Sequence, residues 1–137
     1  MPKNGAVGFT LIELMIVITV LLILMSIAIP VYERSIINSK ETVLRQDLYT
    51  LRRAIEEYTG DKKKAPESLQ DIVAAGYLKS LPKDPFTNAN DTWTTETLDA
   101  TEVAPAAEGE APQLNGISNV HSGSTMTASD GTAYSEW

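Results

Sequence analysis

A long apolar run near the start of the chain, residues 9–29, constrains the fold more than any other feature. At about 1.5 Å rise per residue, a helix of that length spans roughly 31 Å, close to the hydrocarbon core of a bilayer. A signal peptide usually has an apolar region of only about 7 to 15 residues and a small-residue cleavage site after it. No such site follows Ile29, so the sequence predicts a transmembrane helix over residues 9–29.

Glu13 is the one carboxylate within this run. An ionised carboxylate in a bilayer costs on the order of a few kcal/mol and is functional by default. In one interpretation the chain is a simple signal anchor, and Glu13 snorkels to the interface or is protonated. In the other, cleavage between Gly8 and Phe9 creates an α-amine four residues before Glu13. A pair between Glu13 and the Phe9 amine of a neighbouring chain would satisfy both charges, set an axial register and favour a membrane-assembled filament.

Residues 8–13, Gly-Phe-Thr-Leu-Ile-Glu, resemble the class III leader and processing motif of type IV pilins and type II secretion pseudopilins. The resemblance implies cleavage after Gly8 by a prepilin peptidase, N-methylation of Phe9, and a role for Glu13 in recruitment into the filament. Pro30 is similar to the proline that the family has within its long N-terminal helix.

The chain is expected to divide into four parts. These are a leader (1–8), a transmembrane and filament-core helix (9–29), an amphipathic continuation of that helix (30–60), and a globular α/β part (61–137) with a flexible loop at 96–114. The expected fold class is α+β, with the long helix packed on a small C-terminal domain that has a short helix and a small antiparallel sheet.

The amphipathic part has one apolar face. Leucines, an isoleucine and a tyrosine recur there at spacings of four, three, four and three, as on one side of a helix: Leu44, Leu48, Leu51, Ile55 and Tyr58. Pro30 removes a backbone hydrogen bond, so we expect a kink or a loosened turn near it. Gly60 is placed to end the helix near Thr59.

The segment that follows the long helix predicts a second helix over residues 66–76, with proline and acids at its start and glycine at its stop. Leu69, Ile72 and Val73 are expected to pack on the first helix. A proline-fixed extended segment, 77–86, should place Tyr77, Leu81 and Phe86 on the core. Its Leu-Pro-Lys-Asp-Pro-Phe sequence resembles the hallmark of the G-type major pseudopilins, which extends the resemblance from Gly8 to about Phe86.

Two short segments, 91–95 and 116–122, have the β-branched and aromatic content of strands and are predicted to pair as a hairpin-like sheet. The intervening residues are rich in Ala, Glu, Thr and Pro and predict a mobile surface loop. The last residues, 130–137, hold a turn signal and then aromatic side chains that should dock on the domain.

The composition limits other kinds of site. The chain has no cysteine, so no disulfide is available to staple the domain. Its single histidine, His121, excludes a multi-histidine metal site. Residues 31–83 carry ten Lys/Arg and eight Asp/Glu, whereas residues 84–137 carry nine acids and no base. The acidic half offers no basic footprint, so no nucleic-acid partner is expected.

Calcium is the one cofactor that the resemblance raises, because G-type pseudopilins have a calcium site in their C-terminal region. Here the candidate ligands are Asp130, Ser122 and Ser124, which would supply mostly neutral oxygens. The family's denser acidic calcium loop is not evident. An ordinary turn capped by Asp130 is the competing interpretation, and no other cofactor is predicted.

An enzyme is the competing functional class. No nucleophile-elbow or phosphate-loop motif appears, and one histidine beside scattered serines does not make a triad. Among filaments the rival is a major or minor pilin of a type IV surface pilus, acting in adhesion, motility or DNA uptake. Common pilins resemble one another in a C-terminal cysteine pair, and this chain has no cysteine. The missing cysteine pair and the resemblance of residues 77–86 to the G-type pseudopilins therefore favour a non-enzymatic subunit of a type II secretion pseudopilus.

The resemblance also implies partners and a location. The subunit would be a single-pass inner-membrane protein with a periplasmic C-terminal domain, and it would form a homopolymer through its N-terminal helices. Its partners would be the prepilin peptidase, an assembly ATPase, a platform protein and minor pseudopilins. The assembled filament would lie in the periplasm or at the cell surface.

Overall fold

The structure is a computed structural model, and it describes residues 8–98 and 116–137. Two helices come first, two strands follow, and a short 3-10 turn lies near the end, which confirms the α+β class. In chain order these elements are α1 (Leu11–Lys62), α2 (Leu69–Ala74), β1 (Thr94–Leu98), β2 (Gly116–His121) and the 3-10 turn (Tyr134–Glu136). By its contacts the chain forms two units, Met1–Ile37 and Asn38–Trp137.

In the first unit, all the described residues belong to the start of α1 or lie just before it, and all of them are exposed. The helix assignment is unbroken across Pro30. The loosened turn expected there therefore does not interrupt the helix.

The core of the second unit forms on one face of α1. Leu44, Leu48, Leu51 and Ile55 are buried, and Tyr58 packs against them half-buried, which confirms the amphipathic face predicted by their spacing. The same cluster includes residues from α2, both strand regions and the C-terminal turn: Leu69, Ile72, Trp93, Ile117, Val120, Ala128 and Tyr134. The segment after α2 contributes Tyr77, Leu81 and Phe86 at the margin of this core, as predicted.

Helix α2 is shorter than the predicted 66–76. Ser68 is its N-cap, and a capping box forms because the Ser68 hydroxyl accepts from the Asp71 N–H while the Asp71 carboxylate accepts from the Ser68 N–H. Gly76 follows the helix with φ +85°, so the predicted glycine stop is confirmed. Leu69 and Ile72 are buried, while Val73 is half-buried.

The two strands pair antiparallel, as predicted, with Thr94 opposite His121 and Leu98 opposite Gly116. The register shifts between Glu96 and Thr97, so β1 carries a bulge. Both Ile117 and Val120 of β2 are buried in the core.

Two glycines permit close approaches of the backbone in this region. Gly116 has φ +157°, and a Cβ there would lie 2.7 Å from the Pro66 carbonyl oxygen. A Cβ at Gly123 would overlap the Thr92 carbonyl oxygen. Glycine is required at both positions because no side chain fits.

The predicted end of α1 and the predicted start of β1 were wrong. Helix α1 continues past Gly60 to Lys62, and the left-handed residue after it is Lys63, with φ +55°. Strand β1 begins at Thr94, three residues later than predicted.

The predicted loop 96–114 was wrong for its first residues, because residues 96–98 belong to β1. Most of β1 is exposed, so its pairing with β2 holds it in place with little burial. A polar composition alone could not reveal such a strand. The remainder of the predicted loop lies outside the described residues.

Candidate functional site

The candidate site from the sequence is the start of α1. Helix α1 begins at Leu11, and the hydroxyl of Thr10 accepts a hydrogen bond from the Glu13 N–H at 3.2 Å. This is the contact that an N-cap threonine makes with the third residue of a helix. Glu13 therefore lies in the first turn, where the helix dipole favours a negative charge.

Both residues of the predicted pair are exposed. Phe9 is 65% exposed, and Glu13 is exposed as well. Within residues 8–98 and 116–137, no hydrogen bond or ion pair engages the Glu13 carboxylate. The pairing of Glu13 with the amine of a neighbouring Phe9 stays a prediction.

The apolar side chains after Glu13 are also uncovered. Helix α1 contains a stretch with a mean hydropathy of 2.9, none of which is buried, and its length and composition suit a membrane span. The leucine, isoleucine, valine and methionine residues from Leu14 to Ile29 are 44–62% exposed. A surface this apolar requires lipid or other helices around it.

Two polar side chains in this stretch form hydrogen bonds with backbone carbonyls of the same helix. The Thr19 hydroxyl donates to the Met15 carbonyl at 2.7 Å, and the Ser26 hydroxyl donates to the Ile23 carbonyl at 2.7 Å. Such back-bonding lets a hydroxyl lie in an apolar environment without an unpaired polar group. Glu13 has no comparable partner among the described residues, which separates it from the other polar groups of this stretch.

Each of the three predicted calcium ligands has a hydrogen-bond partner within the protein. The two serines belong to one set of hydrogen bonds, and Asp130 belongs to another. The Ser122 hydroxyl donates to Asp84 at 2.5 Å, and the Ser124 N–H donates to that same hydroxyl at 3.1 Å. Asp130 accepts from the Thr132 N–H and hydroxyl, the contacts of a capped turn. These hydrogen bonds hold the Asp130 pKa below its usual range. The described residues contain no group of three or more acidic, histidine or cysteine side chains suited to a metal.

Sequence reasoning missed a buried carboxylate on α1. Glu41 is only 7% exposed, and it accepts from the Ser129 N–H at 2.7 Å, the Ser129 hydroxyl at 2.7 Å and the Tyr134 hydroxyl at 3.0 Å. Burial acts to raise the Glu41 pKa, but these hydrogen bonds outweigh it and the pKa is lowered. The signal was present, since Glu41 lies three residues before Leu44 on the core face.

Asp84 is a second missed carboxylate, and it is fully buried. One of its oxygens accepts from the Phe86 N–H at 2.8 Å, which is an Asx turn, while the other accepts from Ser122. The proline-flanked sequence around Asp84 was a turn signal that could have identified this contact. Burial and the nearby Asp84 charge raise the pKa of Asp47 on α1.

Arg52 joins α1 to the end of the chain. Its guanidinium donates to the Val120 carbonyl at 2.9 Å and to the Trp137 backbone oxygen at 2.6 Å. The predicted docking of the C-terminal aromatics is confirmed. Tyr134 is buried and stacks on Phe86 at 3.9 Å between ring centroids, and Trp137 packs edge-on against Tyr134.

Known proteins resemble this chain, both in its N-terminal segment and over a longer range. Residues 8–29 match the family model described as the prokaryotic N-terminal methylation motif. The chain is 32% identical over 108 residues to type II secretion system core protein G of Aeromonas hydrophila, covering 64% of this chain and 73% of the relative.

Fimbrial proteins match as well. Fimbrial protein EcpC of Eikenella corrodens is 32% identical over 126 residues, covering 87% of this chain and 80% of that protein. Type IV major fimbrial protein FimA of Dichelobacter nodosus is 47% identical over 65 residues, covering 47% of this chain and 41% of that protein. No solved structure matches significantly.

Proposed function

The chain belongs to the type IV pilin-like superfamily, with homology to core protein G of type II secretion, and from that premise we propose that it is a structural subunit of a type II secretion pseudopilus. The observation that carries the proposal is the similarity to core protein G over 73% of that relative, together with the methylation motif. The relatives are structural proteins of filament systems, which supports a non-enzymatic role.

Maturation comes first in the proposal. A prepilin peptidase cuts after Gly8, and the new amine of Phe9 is methylated. The exposure of Phe9 and the start of α1 only at Leu11 support this, because a protease and a methyltransferase need accessible, non-helical backbone. Residues 9–29 then anchor the subunit in the inner membrane with residues 38–137 in the periplasm.

Polymerisation follows from the uncovered segment of α1. Subunits leave the bilayer by exchanging lipid contacts for contacts with the same apolar segment of other copies. Glu13 pairs with the Phe9 amine of a neighbour, and this pair sets the axial register. Pro30 lies where the membrane segment meets the amphipathic segment and is placed to let the helix adapt to filament packing. An assembly ATPase, a platform protein and minor pseudopilins complete the machinery, and the growing filament drives exoproteins outward.

A type IV surface pilus is the second candidate, favoured by the match to fimbrial protein EcpC over 87% of this chain. Deleting the gene in its native host and comparing the secreted proteins with those of the parent separates the two. We expect a defined set of exoproteins to be lost from the medium and to accumulate in the periplasm. Unchanged secretion together with the loss of surface fibres would contradict the pseudopilus and establish the pilus.

A further inference from the structure

The second unit has an open cleft of about 470 Å³ that the proposed function does not use. One wall is formed by α1 and includes Arg45, Tyr49 and Arg52. The other wall comes from the C-terminal segment, residues 130–137, and includes Thr132 and Trp137.

The Arg45 side chain is held in place at this cleft by an aromatic ring, and its guanidinium donors stay accessible. Its guanidinium carbon lies 4.0 Å from the centre of the Trp137 ring, and the ring is fixed because its N–H donates to the Thr132 hydroxyl at 2.7 Å. The Arg45 side chain is 63% exposed, and its contact with Asp130 is long, at 3.7 Å. Among the described residues, no hydrogen bond engages the Arg45 guanidinium. It is a preorganised cation whose fork of donors remains accessible.

The other α1 residues of the wall differ from Arg45. The Arg52 guanidinium already donates to the Val120 and Trp137 backbone oxygens, so it supports the wall. Tyr49 is a large side chain that is 62% exposed. Tyrosine, tryptophan and arginine are the side chains enriched at the energetic centres of protein interfaces. The composition of the cleft is therefore that of a protein-docking surface.

The charge distribution of the chain indicates what the cleft takes. Residues 84–137 carry nine acids and no base. Among the described residues, two of these acids, Asp91 and Glu96, are exposed and lie outside the cleft. We propose that the cleft seats the carboxylate of Asp91 or Glu96 of a second copy of this chain on Arg45, with the backbone of that segment against Tyr49. This inference rests on the proposed function, because only an assembling subunit presents the two surfaces repeatedly.

The acids of the opposite wall, Asp130 and Glu136, direct the incoming group. Asp130 accepts two hydrogen bonds from Thr132, so its charge is partly satisfied within the turn. Like charges repel across an interface. A visiting carboxylate is therefore held to the α1 wall, which gives the contact an orientation as well as a partner.

Cysteine cross-linking tests the proposal, and the native chain contributes no background because it has no cysteine. The full-length chain carries Glu136→Cys, which lines the cleft, with Asn90→Cys or Thr94→Cys, which lie near Asp91 and Glu96, and is oxidised in cells that assemble filaments. We expect a ladder of covalent multimers with at least one of these two pairs. Glu136→Cys with Lys79→Cys, an exposed site in the basic half, is the matched control and should give no ladder.

Charge reversal gives a second readout. Arg45→Glu should lower the yield of sedimentable filaments about tenfold, the change expected from losing one central interface residue. Lys79→Glu makes the same change of charge and should leave the yield unchanged. If Arg45→Glu does not fold, Tyr49→Ser replaces an exposed side chain and should lower the yield as well.

The outcomes separate the two proposals. Filaments that form with no ladder, or with a ladder only through Lys79→Cys, would overturn the docking site and leave the pseudopilus standing. Normal filament yields from both Arg45→Glu and Tyr49→Ser would do the same. Absence of filaments from the unmodified chain would overturn the proposed function and the docking site with it.

Discussion

At the scale of single residues, the four charged side chains Glu13, Glu41, Arg45 and Asp84 differ in whether the described part of the fold hydrogen-bonds their charged groups. Glu41 and Asp84 are buried, and each accepts three hydrogen bonds. Glu13 and Arg45 have no hydrogen bond to their charged groups from the described residues. Buried carboxylates of the first kind stabilise one chain, whereas exposed charges of the second kind are available for contacts between chains.

Replacing Glu41 by glutamine should destabilise the second unit by about 1–3 kcal/mol, because an amide cannot accept all three hydrogen bonds and leaves buried donors unpaired. Urea unfolding of the full chain in detergent, followed by tryptophan fluorescence, measures the change. Glu56→Gln, at an exposed position on the same helix, is the control and should alter the free energy of unfolding by less than about 0.5 kcal/mol. Equal effects of the two substitutions would show that the Glu41 contacts contribute nothing specific.

The stabilisation by Glu41 should depend on pH. Its folded-state pKa lies below 4.5, the ordinary value for glutamate, so the stabilisation is fully present above pH 4.5 and is lost as pH falls through the folded pKa. The difference in unfolding free energy between wild type and Glu41→Gln should be largest at neutral pH and should shrink as the pH falls below 4.5. A difference that grows on acidification would mean that Glu41 is protonated in the folded state.

At the scale of elements, close backbone packing fixes where the β2 region lies. Gly123 lies two residues after the end of β2, and a methyl group there would overlap the Thr92 carbonyl. The segment before β1 and the segment after β2 are in contact at this point. A substitution at Gly123 therefore tests how closely the two segments that flank the sheet pack together.

Gly123→Ala should destabilise the fold by about 1–3 kcal/mol, the range for forcing extra volume into a packed site. Gly60→Ala is a matched control, because nothing lies within 4 Å of a Cβ there and Gly60 is inside α1. That control should stabilise the protein by about 0.5–1 kcal/mol through higher helix propensity. Thermal unfolding of both variants provides the comparison, and a neutral Gly123→Ala would contradict the observed approach to Thr92.

Helices and strands were predictable where the sequence has a regular spacing of apolar residues or a clear stop residue. The buried face of α1 follows from the spacing of Leu44, Leu48 and Leu51, and the stop of α2 follows from Gly76. Strand β1 was displaced because pairing with β2, which is remote in sequence, defines it more than its own composition does. Glu41 was missed because only apolar residues were considered at the helical spacing of the core face. A carboxylate can occupy such a buried position when three hydrogen-bond donors surround it.

At the scale of the whole molecule, the exposed apolar segment of α1 is the surface that the proposed filament would bury. Single chains cannot bury it, and both lipid and neighbouring helices can. In the proposed filament Glu13 would distinguish these two environments, because a bilayer offers it no counter-charge and a neighbouring Phe9 amine would.

Replacing Glu13 by alanine should therefore leave membrane insertion intact and abolish polymerisation, since the span becomes more apolar while the intersubunit pair is lost. Carbonate extraction of membranes reports insertion, and shearing followed by sedimentation reports filaments. Thr19→Ala removes a hydroxyl that bonds only within the helix, and we expect it to assemble normally. Wild-type filament yields from Glu13→Ala would refute the pairing.

The contacts from Glu41 to Ser129 and Tyr134 join positions 88 and 93 residues apart along the chain. Contacts of such long separation form slowly, because most of the chain must be ordered before they contribute. If the C-terminal part is exported as proposed, Glu41 would lack its three donors until these last residues have crossed the membrane. The second unit should therefore complete its fold only after the end of the chain has been exported.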